Sequence, residues 1–158
     1  MKYLMASVAL LASAGLVQAG ETFDSAGVIK GKTSATFHPI SDGHMVMEFT
    51  NTQTSFEMAD PANPLAGMTG RCTGAMEIRG SAVSGGGVCI AQSDGGDMAF
   101  VRWQGQNLSA DGALNGSWVM IGGTGSMAGI SGGGQYSSLT DRSTDDYVNT
   151  LTGAVALP

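Results

Sequence analysis

Apolar and polar residues alternate in short runs along most of the chain, and clusters of Gly, Asp, Ser and Asn separate these runs. Alternation with a period of two is typical of half-buried β-strands, and no long stretch keeps the period of an amphipathic helix. The pattern predicts strands near 22–30, 33–39, 44–52, 54–59, 72–80, 86–92, 97–105, 113–121, 134–141 and 146–156. Short strands that recur every 10–12 residues or so, roughly the spacing of all-β folds, indicate a sandwich or a barrel.

Turn-forming residues mark most of the boundaries between these strands. The turns are Ser41-Asp42-Gly43, Ser93-Asp94-Gly95-Gly96, Ala110-Asp111-Gly112 and Ser143-Thr144-Asp145. The segment 59–70 breaks the rhythm because it contains Pro61 and Pro64, and it predicts one longer loop.

The first 19 residues follow a different pattern. Lys2 precedes an apolar run from Tyr3 to Leu16, and Val17-Gln18-Ala19 has the small-x-small form that precedes a cleavage site. We therefore expect a signal peptide over 1–19, a single β-barrel domain over 20–158, and a periplasmic or secreted protein. The run is shorter than the roughly 20 apolar residues of a membrane-spanning helix, so we expect no membrane insertion.

Charge narrows the range of partners. The chain carries 7 basic and 13 acidic side chains, for a formal net charge of −6, and it has no basic cluster. This balance argues against nucleic acid and anionic membrane surfaces as partners.

The chain has two cysteines, Cys72 and Cys89, and both lie in the exported part. In an oxidising compartment a single disulfide is expected. An antiparallel hairpin through 80–87 would place the two residues side by side. They lack a CxxC pair and a nearby His, which argues against a metal site.

The segment IGGTGSMAGISGGGQY, residues 121–136, contains seven glycines. Part of it matches a G-x-G-x-x-A dinucleotide fingerprint, but that fingerprint works only at a strand-to-helix turn. The residues that follow are too rich in glycine to hold a helix. The segment instead predicts a tight turn with positive φ between two strands.

Two longer segments, one of which contains these glycines, resemble a known family. GSWVMIGGTGSMAGISGGGQYSSLTDRSTDDYVNTLTGAVAL, residues 116–157, is similar to the C-terminal part of allene oxide cyclase and dirigent-protein barrels, in which a Gly-Gly-Thr-Gly turn precedes two closing strands. CIAQSDGGDMAFVRWQGQ, residues 89–106, is similar to the preceding hairpin of secreted bacterial members of this group.

The resemblance implies an all-β, antiparallel, eight-stranded, calycin-like barrel that holds one small apolar ligand or fills itself with side chains. Plant members are trimers that steer a reactive intermediate, either a fatty-acid epoxide or phenoxy radicals, so the resemblance also implies a homo-oligomer. We expect a small apolar molecule as partner and no cofactor. Fold alone does not transfer function.

Three functions fit these observations. The first is an exported barrel that isomerises, cyclises or sterically guides a small hydrophobic molecule, fatty-acid-derived or aromatic. The second is a non-catalytic carrier of a small apolar ligand, and the third is a structural envelope module with a filled barrel. The sequence leaves open whether any chemistry occurs.

The strand near 44–52 alternates cleanly and has two candidate inner faces. One face carries Met45, Met47 and Phe49, and the other carries His44 and Glu48. If the apolar face points inward, Met47 is part of a ligand-binding wall and Glu48 lies on the surface. If the polar face points inward, His44 contacts the ligand, and Glu48 becomes a catalytic acid or base whose pKa is raised by burial.

The strand near 97–105 raises the same question. Arg102 is a candidate for holding a ligand carboxylate, and the alternative is an outer ion pair with Glu77 or Glu48. Phe100 shares the Arg102 face and is a candidate ligand contact.

Aromatic residues complete the set of candidates. Trp103 and Trp118 could form an aromatic wall for the ligand or close the core. Tyr136 is a candidate catalytic hydrogen-bond donor in the cavity, with a structural role as the alternative. His38 and His44 lack a convergent third ligand, so we expect no metal ion.

Overall fold

The structure is a computed structural model that describes residues 20–158, so the expected signal peptide over 1–19 lies outside the described residues. Within them, the one helical element is a 3₁₀ turn, Gly125–Met127, and no helix is long and apolar enough to cross a bilayer. The strands are β1 (Glu21–Asp24), β2 (Gly27–Ser41), β3 (His44–Met58), β4 (Thr69–Arg79), β5 (Ala82–Gln92), β6 (Met98–Leu108), β7 (Leu114–Gly123), β8 (Ser131–Thr140) and β9 (Asp146–Leu157).

The strands close into a barrel. Each strand from β2 to β8 pairs antiparallel with the next along the chain, and β9 pairs with both β8 and β2. The predicted all-β, eight-stranded antiparallel barrel is confirmed. The short β1 is an extra strand that continues the edge of β2 and pairs with the C-terminal part of β9, where Glu21 lies opposite Leu157.

The first predicted strand, 22–30, is interrupted in the structure. The side chain of Asp24 accepts a hydrogen bond of 2.8 Å from the backbone N–H of Ala26, which turns the chain between β1 and β2. Asn63 donates a bond of 2.8 Å to the Asp24 carbonyl and holds this turn in place. From Gly27 the chain is one continuous strand to Ser41, so the predicted break before residue 33 was wrong.

The two strands predicted over 44–52 and 54–59 are one strand with a β-bulge. Ser55 lies opposite Lys30 and Gln53 lies opposite Gly31, so Thr54 is an extra residue on β3. The bulge shifts the alternation by one residue, and both Gln53 and Phe56 are therefore buried inside the barrel. This shift made one strand resemble two in the hydrophobic pattern.

The glycine-rich segment after β7 is a turn between strands, as the sequence indicates. Gly125 has φ +57, a conformation that favours glycine, and the Asp97 side chain lies where its Cβ would be. Asp97 accepts hydrogen bonds from the backbone N–H (3.0 Å) and hydroxyl (2.6 Å) of Ser126. Met127 and Ile130 anchor the turn in the core.

The two ends of the barrel differ. The loop 59–68 and the turn after β7 lie at the same end, and they bury Leu65 and Met68 together with Met127. At the opposite end β2 pairs with β9 only as far as Lys32, so the stretch 34–41 pairs with β3 alone. The barrel is therefore closed at the first end and less completely paired at the second.

Candidate functional site

The barrel interior contains a cavity of about 70 Å³ that is partly open to solvent. Its floor is apolar and faces the closed end, and it consists of Ile29, Phe56, Leu65, Ala91 and Leu151. An engineered protein cavity that admits benzene has a volume of about 150 Å³. A ligand of more than a few heavy atoms must therefore extend through the open end or displace lining side chains.

Aromatic rings form one wall of the cavity, and Trp103 is at its centre. A Cβ atom on Gly74 or on Gly87 would overlap the indole ring, so these two glycines create the space that the ring occupies. The ring centroid of Phe49 lies 5.2 Å from that of Trp103, and Tyr136 meets Trp103 edge-on at 6.5 Å. These separations are those of favourable aromatic pairs.

The polar atoms of Trp118 and Tyr136 form hydrogen bonds with backbone carbonyl groups. The N–H of Trp118 lies 3.2 Å from the carbonyls of both Gln135 and Thr152. The hydroxyl of Tyr136 donates to the Gln104 carbonyl at 3.3 Å. Burial raises the pKa of Tyr136 far above its ordinary value, so its hydroxyl stays protonated.

Another part of the cavity wall is polar, and Gln53 is at its centre. The Gln53 amide donates to the hydroxyl of Tyr147 at 2.9 Å and to Cys72 Sγ at 3.1 Å. Gly31 lies on β2 between Gln53 and Tyr147, and because it has no side chain the two can meet across it. Burial raises the pKa of Tyr147 to about 12, with the Gln53 bond acting in the opposite direction.

Four polar atoms of the cavity wall have no hydrogen-bond partner among the described residues, although each is buried. They are Asn51 Oδ1, Gln53 Oε1, Asn149 Oδ1 and Trp103 Nε1. All four belong to residues that line the cavity. A buried polar atom without a partner costs about 1–3 kcal/mol, so a cluster of them indicates a site for a polar partner.

The described lining of the cavity contains no Asp, Glu, Lys, Arg or His. Tyr136 and Tyr147 are therefore its only titratable groups, and both remain neutral near pH 7. The cavity can bind through apolar contact and neutral hydrogen bonds, but it holds no side chain with a pKa suited to proton transfer at neutral pH.

The disulfide between Cys72 and Cys89 is present, as predicted, and the two residues lie directly opposite each other on β4 and β5. Both cysteines line the cavity. The bridge therefore joins the two strands at the wall against which a ligand would pack.

The structure places Glu48 and His44 on the outer face of β3. Glu48 is exposed and lies 3.2 Å from His38, while His44 lies 2.7 Å from Glu77. Bonds from Arg79 and His44 hold the pKa of Glu77 below its usual value. Neither Glu48 nor His44 lines the cavity, because the strand turns the opposite face inward.

That inner face carries Met45, Met47 and Phe49, which all pack against the core. Of these three residues, Phe49 reaches the cavity. Met47 lies one step along the strand from Phe49, towards the β2–β3 turn, and contributes to packing rather than to the lining.

Arg102 and Phe100 are on the outer face of β6. Arg102 is exposed and lies between Val88 and Val119 on the neighbouring strands. The alternative ion pair with Glu77 or Glu48 is not formed, and those carboxylates bond instead to Arg79, His44 and His38. Phe100 lies opposite Ile90 on the same outer surface.

Three predicted site residues, Trp103, Trp118 and Tyr136, line the cavity. The hydrophobic pattern gave little indication of the polar lining residues, namely Asn51, Gln53, Ser138, Tyr147 and Asn149. The stretch Asn51–Thr54 is polar on both faces, so it has no apolar face that marks the interior. A weaker signal was present in β9, where Asn149 alternates with Tyr147 and Leu151 on the inner face.

Residues 20–158 contain no group of three or more His, Cys, Asp or Glu that could hold a metal ion.

Comparison with known proteins supports the fold. No protein-family model matches the sequence, and no curated protein matches it. The solved structure of the pterocarpan synthase dirigent protein GePTS1 is similar to 95% of this chain and 96% of its own, with a TM-score of 0.53 and 12% sequence identity. The chain thus folds as a dirigent-like barrel. The more specific likeness to allene oxide cyclases stays a prediction.

Proposed function

We propose that this dirigent-like barrel binds a small, largely apolar molecule in its cavity and holds it in one orientation. The observation that carries the proposal is the set of four unpartnered polar atoms, on Asn51, Gln53, Asn149 and Trp103, in a cavity with an apolar floor and an aromatic wall. Apolar surroundings with a few convergent polar groups are typical of small-molecule sites.

Binding without acid–base chemistry is the form of this function that the lining supports best. The described lining holds no carboxylate, imidazole or ammonium group. Tyr136 and Tyr147 have pKa values raised by burial, so near pH 7 they act as neutral hydrogen-bonding groups. Trp103, Trp118 and Tyr136 are the residues from the sequence analysis that we retain as ligand contacts.

Steric guidance of a reactive molecule is a second candidate function. It is favoured by the dirigent-like fold, shared with a pterocarpan synthase dirigent protein, and by an aromatic wall that needs no ionisable group to orient a ligand. Isomerisation or cyclisation of a confined molecule belongs to this candidate. The Tyr136 hydroxyl would act as a donor there by exchanging its bond to the Gln104 carbonyl for one to the ligand.

The disulfide supports a periplasmic or extracellular site of action, since such bonds persist in oxidising compartments. Cleavage of an exported precursor after Ala19 would produce the domain over 20–158.

Ligand binding can be tested with the two tryptophans, because Trp103 and Trp118 both line the cavity and report on its contents. We expect toluene or benzyl alcohol to change the intrinsic fluorescence of the 20–158 domain in a saturable way. Ala91 is 1% exposed and lines the floor. Ala91→Leu should fill the cavity and abolish the change.

Ala75→Leu is a matched control, because it makes the same substitution at an exposed position on the outer face of β4. This variant should bind as the unmodified domain does. Absence of saturable binding in the unmodified domain, or equal binding in the Ala91→Leu variant, would contradict a ligand site in the barrel.

Mass spectrometry separates the two candidate functions. A domain that only binds should release its ligand unchanged after incubation with a lipid and aromatic cell extract. A domain that guides a reaction should deplete one compound while an isomer of identical mass accumulates.

A further inference from the structure

We infer that the ligand of this cavity is an uncharged molecule with a hydrogen-bonding group, such as an alcohol or a primary amide, and that the cavity rejects carboxylates. The inference rests on the proposed function and specifies the chemical class of its ligand. The sequence alone left open both an uncharged ligand and a free fatty acid, and the inference favours the uncharged ligand.

The hydrogen-bonding atoms in the cavity suit a neutral polar group. Three of the four unpartnered atoms are amide oxygens, on Asn51, Gln53 and Asn149, and the fourth is the indole N–H of Trp103. Amide oxygens accept hydrogen bonds and the indole N–H donates one. A ligand that donates would pair with the amide oxygens, and one that accepts would pair with the indole N–H of Trp103 or the amide N–H groups of Asn51 and Asn149. An alcohol or a primary amide, which does both, fits the set.

Charge argues in the same direction. A carboxylate in this cavity would meet no Lys, Arg or His among the described lining residues. Two cations near the less completely paired end are already engaged. Lys32 bonds to Asp146 and to the Thr144 carbonyl, and the Arg142 guanidinium lies 5.8 Å from the Phe37 ring centroid. A buried anion without a partner is far less stable than a buried neutral amide.

The positions of the groups define an orientation for the ligand. Its polar end lies beside Asn51 of β3 and Asn149 of β9, which lie on either side of β2. Its apolar body lies against Trp103 and Phe49, whose rings are 5.2 Å apart. Any part that exceeds the cavity volume extends towards the open end.

Three probes of similar size test the ligand class: toluene, benzamide and benzoate, titrated at pH 7 into the 20–158 domain and followed by NMR. Benzamide has two N–H donors and one carbonyl, while benzoate has the same shape, a negative charge and no donor. We expect benzamide to bind at least about tenfold more tightly than benzoate, because an unmatched buried charge costs more than a neutral amide.

Asn149→Leu tests the polar wall with a side chain of similar size. It should weaken benzamide binding severalfold, leave toluene binding unchanged or stronger, and raise the thermal midpoint because it removes an unpartnered buried oxygen. Asn107→Leu, on the exposed face of β6, is the matched control. It should change neither benzamide binding, nor toluene binding, nor the thermal midpoint. Asn51→Leu is a second variant of the wall and should behave as Asn149→Leu does.

The outcomes distinguish this inference from the proposed function. Tighter or equal binding of benzoate would overturn the inference while leaving a binding site in place. Unchanged benzamide affinity in both Asn149→Leu and Asn51→Leu would overturn it as well. If none of the three probes binds, the proposed function fails and the inference fails with it.

Discussion

At the scale of single residues, the barrel depends on where side chains are missing. The chain has 25 glycines, and several lie in the middle of strands, where glycine ordinarily weakens a sheet. Here they lie beneath rings, as Gly74 and Gly87 do under Trp103 and as Gly116 does next to the Tyr136 hydroxyl. The ring regains the contact that the missing side chain gives up, so these glycines support the aromatic wall of the cavity.

Gly74→Ala should therefore destabilise the domain. The new Cβ would overlap the Trp103 ring and force it to move, and overpacking of this kind costs about 1–3 kcal/mol. Urea unfolding monitored by tryptophan fluorescence measures the loss, and a shifted native emission maximum should accompany it.

The control is Gly95→Ala, in the turn before β6. A Cβ atom there meets nothing closer than 3.7 Å, and its backbone needs no positive φ. Its stability should stay close to that of the unmodified domain. Equal stability of the Gly74→Ala and Gly95→Ala variants would show that the Trp103 ring does not need the space.

At the scale of elements, the β4–β5 hairpin is the one that is covalently closed. Cys72 and Cys89 are 17 residues apart in sequence and directly opposite in the ladder, and the Gln53 amide bonds to Cys72 Sγ. The bridge limits the conformations of the unfolded chain and also fixes part of the cavity wall.

Reduction of this disulfide should lower the free energy of unfolding by about 3 kcal/mol, the value that chain entropy gives for a loop of this size. Urea unfolding with and without a reductant measures the difference, provided that a thiol assay confirms complete reduction. The double variant Cys72→Ala/Cys89→Ala should not respond to the reductant. Identical unfolding midpoints for the oxidised and fully reduced domain would contradict the prediction.

At the scale of the whole molecule, the charged side chains lie on the outer surface of the barrel, and the cavity inside it is neutral. Several surface carboxylates are held by specific partners: hydrogen bonds from Lys30, Lys32 and Ser126 lower the pKa values of Glu57, Asp146 and Asp97 respectively. A lowered pKa means that the folded protein binds the proton less tightly than the unfolded chain does.

Stability should consequently be lost on the acid side. The contribution of these carboxylates is complete above their unfolded pKa of about 4 and disappears as the pH falls through the lower folded values. We expect a thermal midpoint that is nearly constant from pH 7 to about pH 5 and declines below about pH 4. Calorimetry at a series of pH values measures it.

Acidification also has a second effect, which stabilises the folded protein. Acidification reduces the net negative charge of −6 and with it the general repulsion across the surface. A midpoint that rises steadily down to pH 3 would mean that this repulsion outweighs the specific bonds. Lys30→Met is a useful variant, because it removes the partner of Glu57 and should flatten part of the acid decline.

Much of the fold was predictable from local signals, and the errors in that prediction have local causes. Alternation and turn residues predicted an all-β sandwich or barrel, the disulfide partners and the turn around Gly125, because each depends on neighbours in sequence or on one hairpin. The choice of a barrel came from the family resemblance of residues 89–106 and 116–157. The Asp24 turn and the extra residue Thr54 were missed, since a side-chain hydrogen bond and a bulge both leave the average pattern almost unchanged.

The sequence by itself determined most of the strand pattern, the acidic net charge, and Trp103, Trp118 and Tyr136 as candidates for the cavity lining. Only the tertiary structure decided which face of β3 and β6 points inward, and therefore that Glu48 and Arg102 lie outside. Closure of the barrel also brought Gln53 of β3 to Tyr147 of β9 across Gly31. The physical reason is that a polar pair far apart in sequence leaves no local period, and its members meet only when the sheet closes.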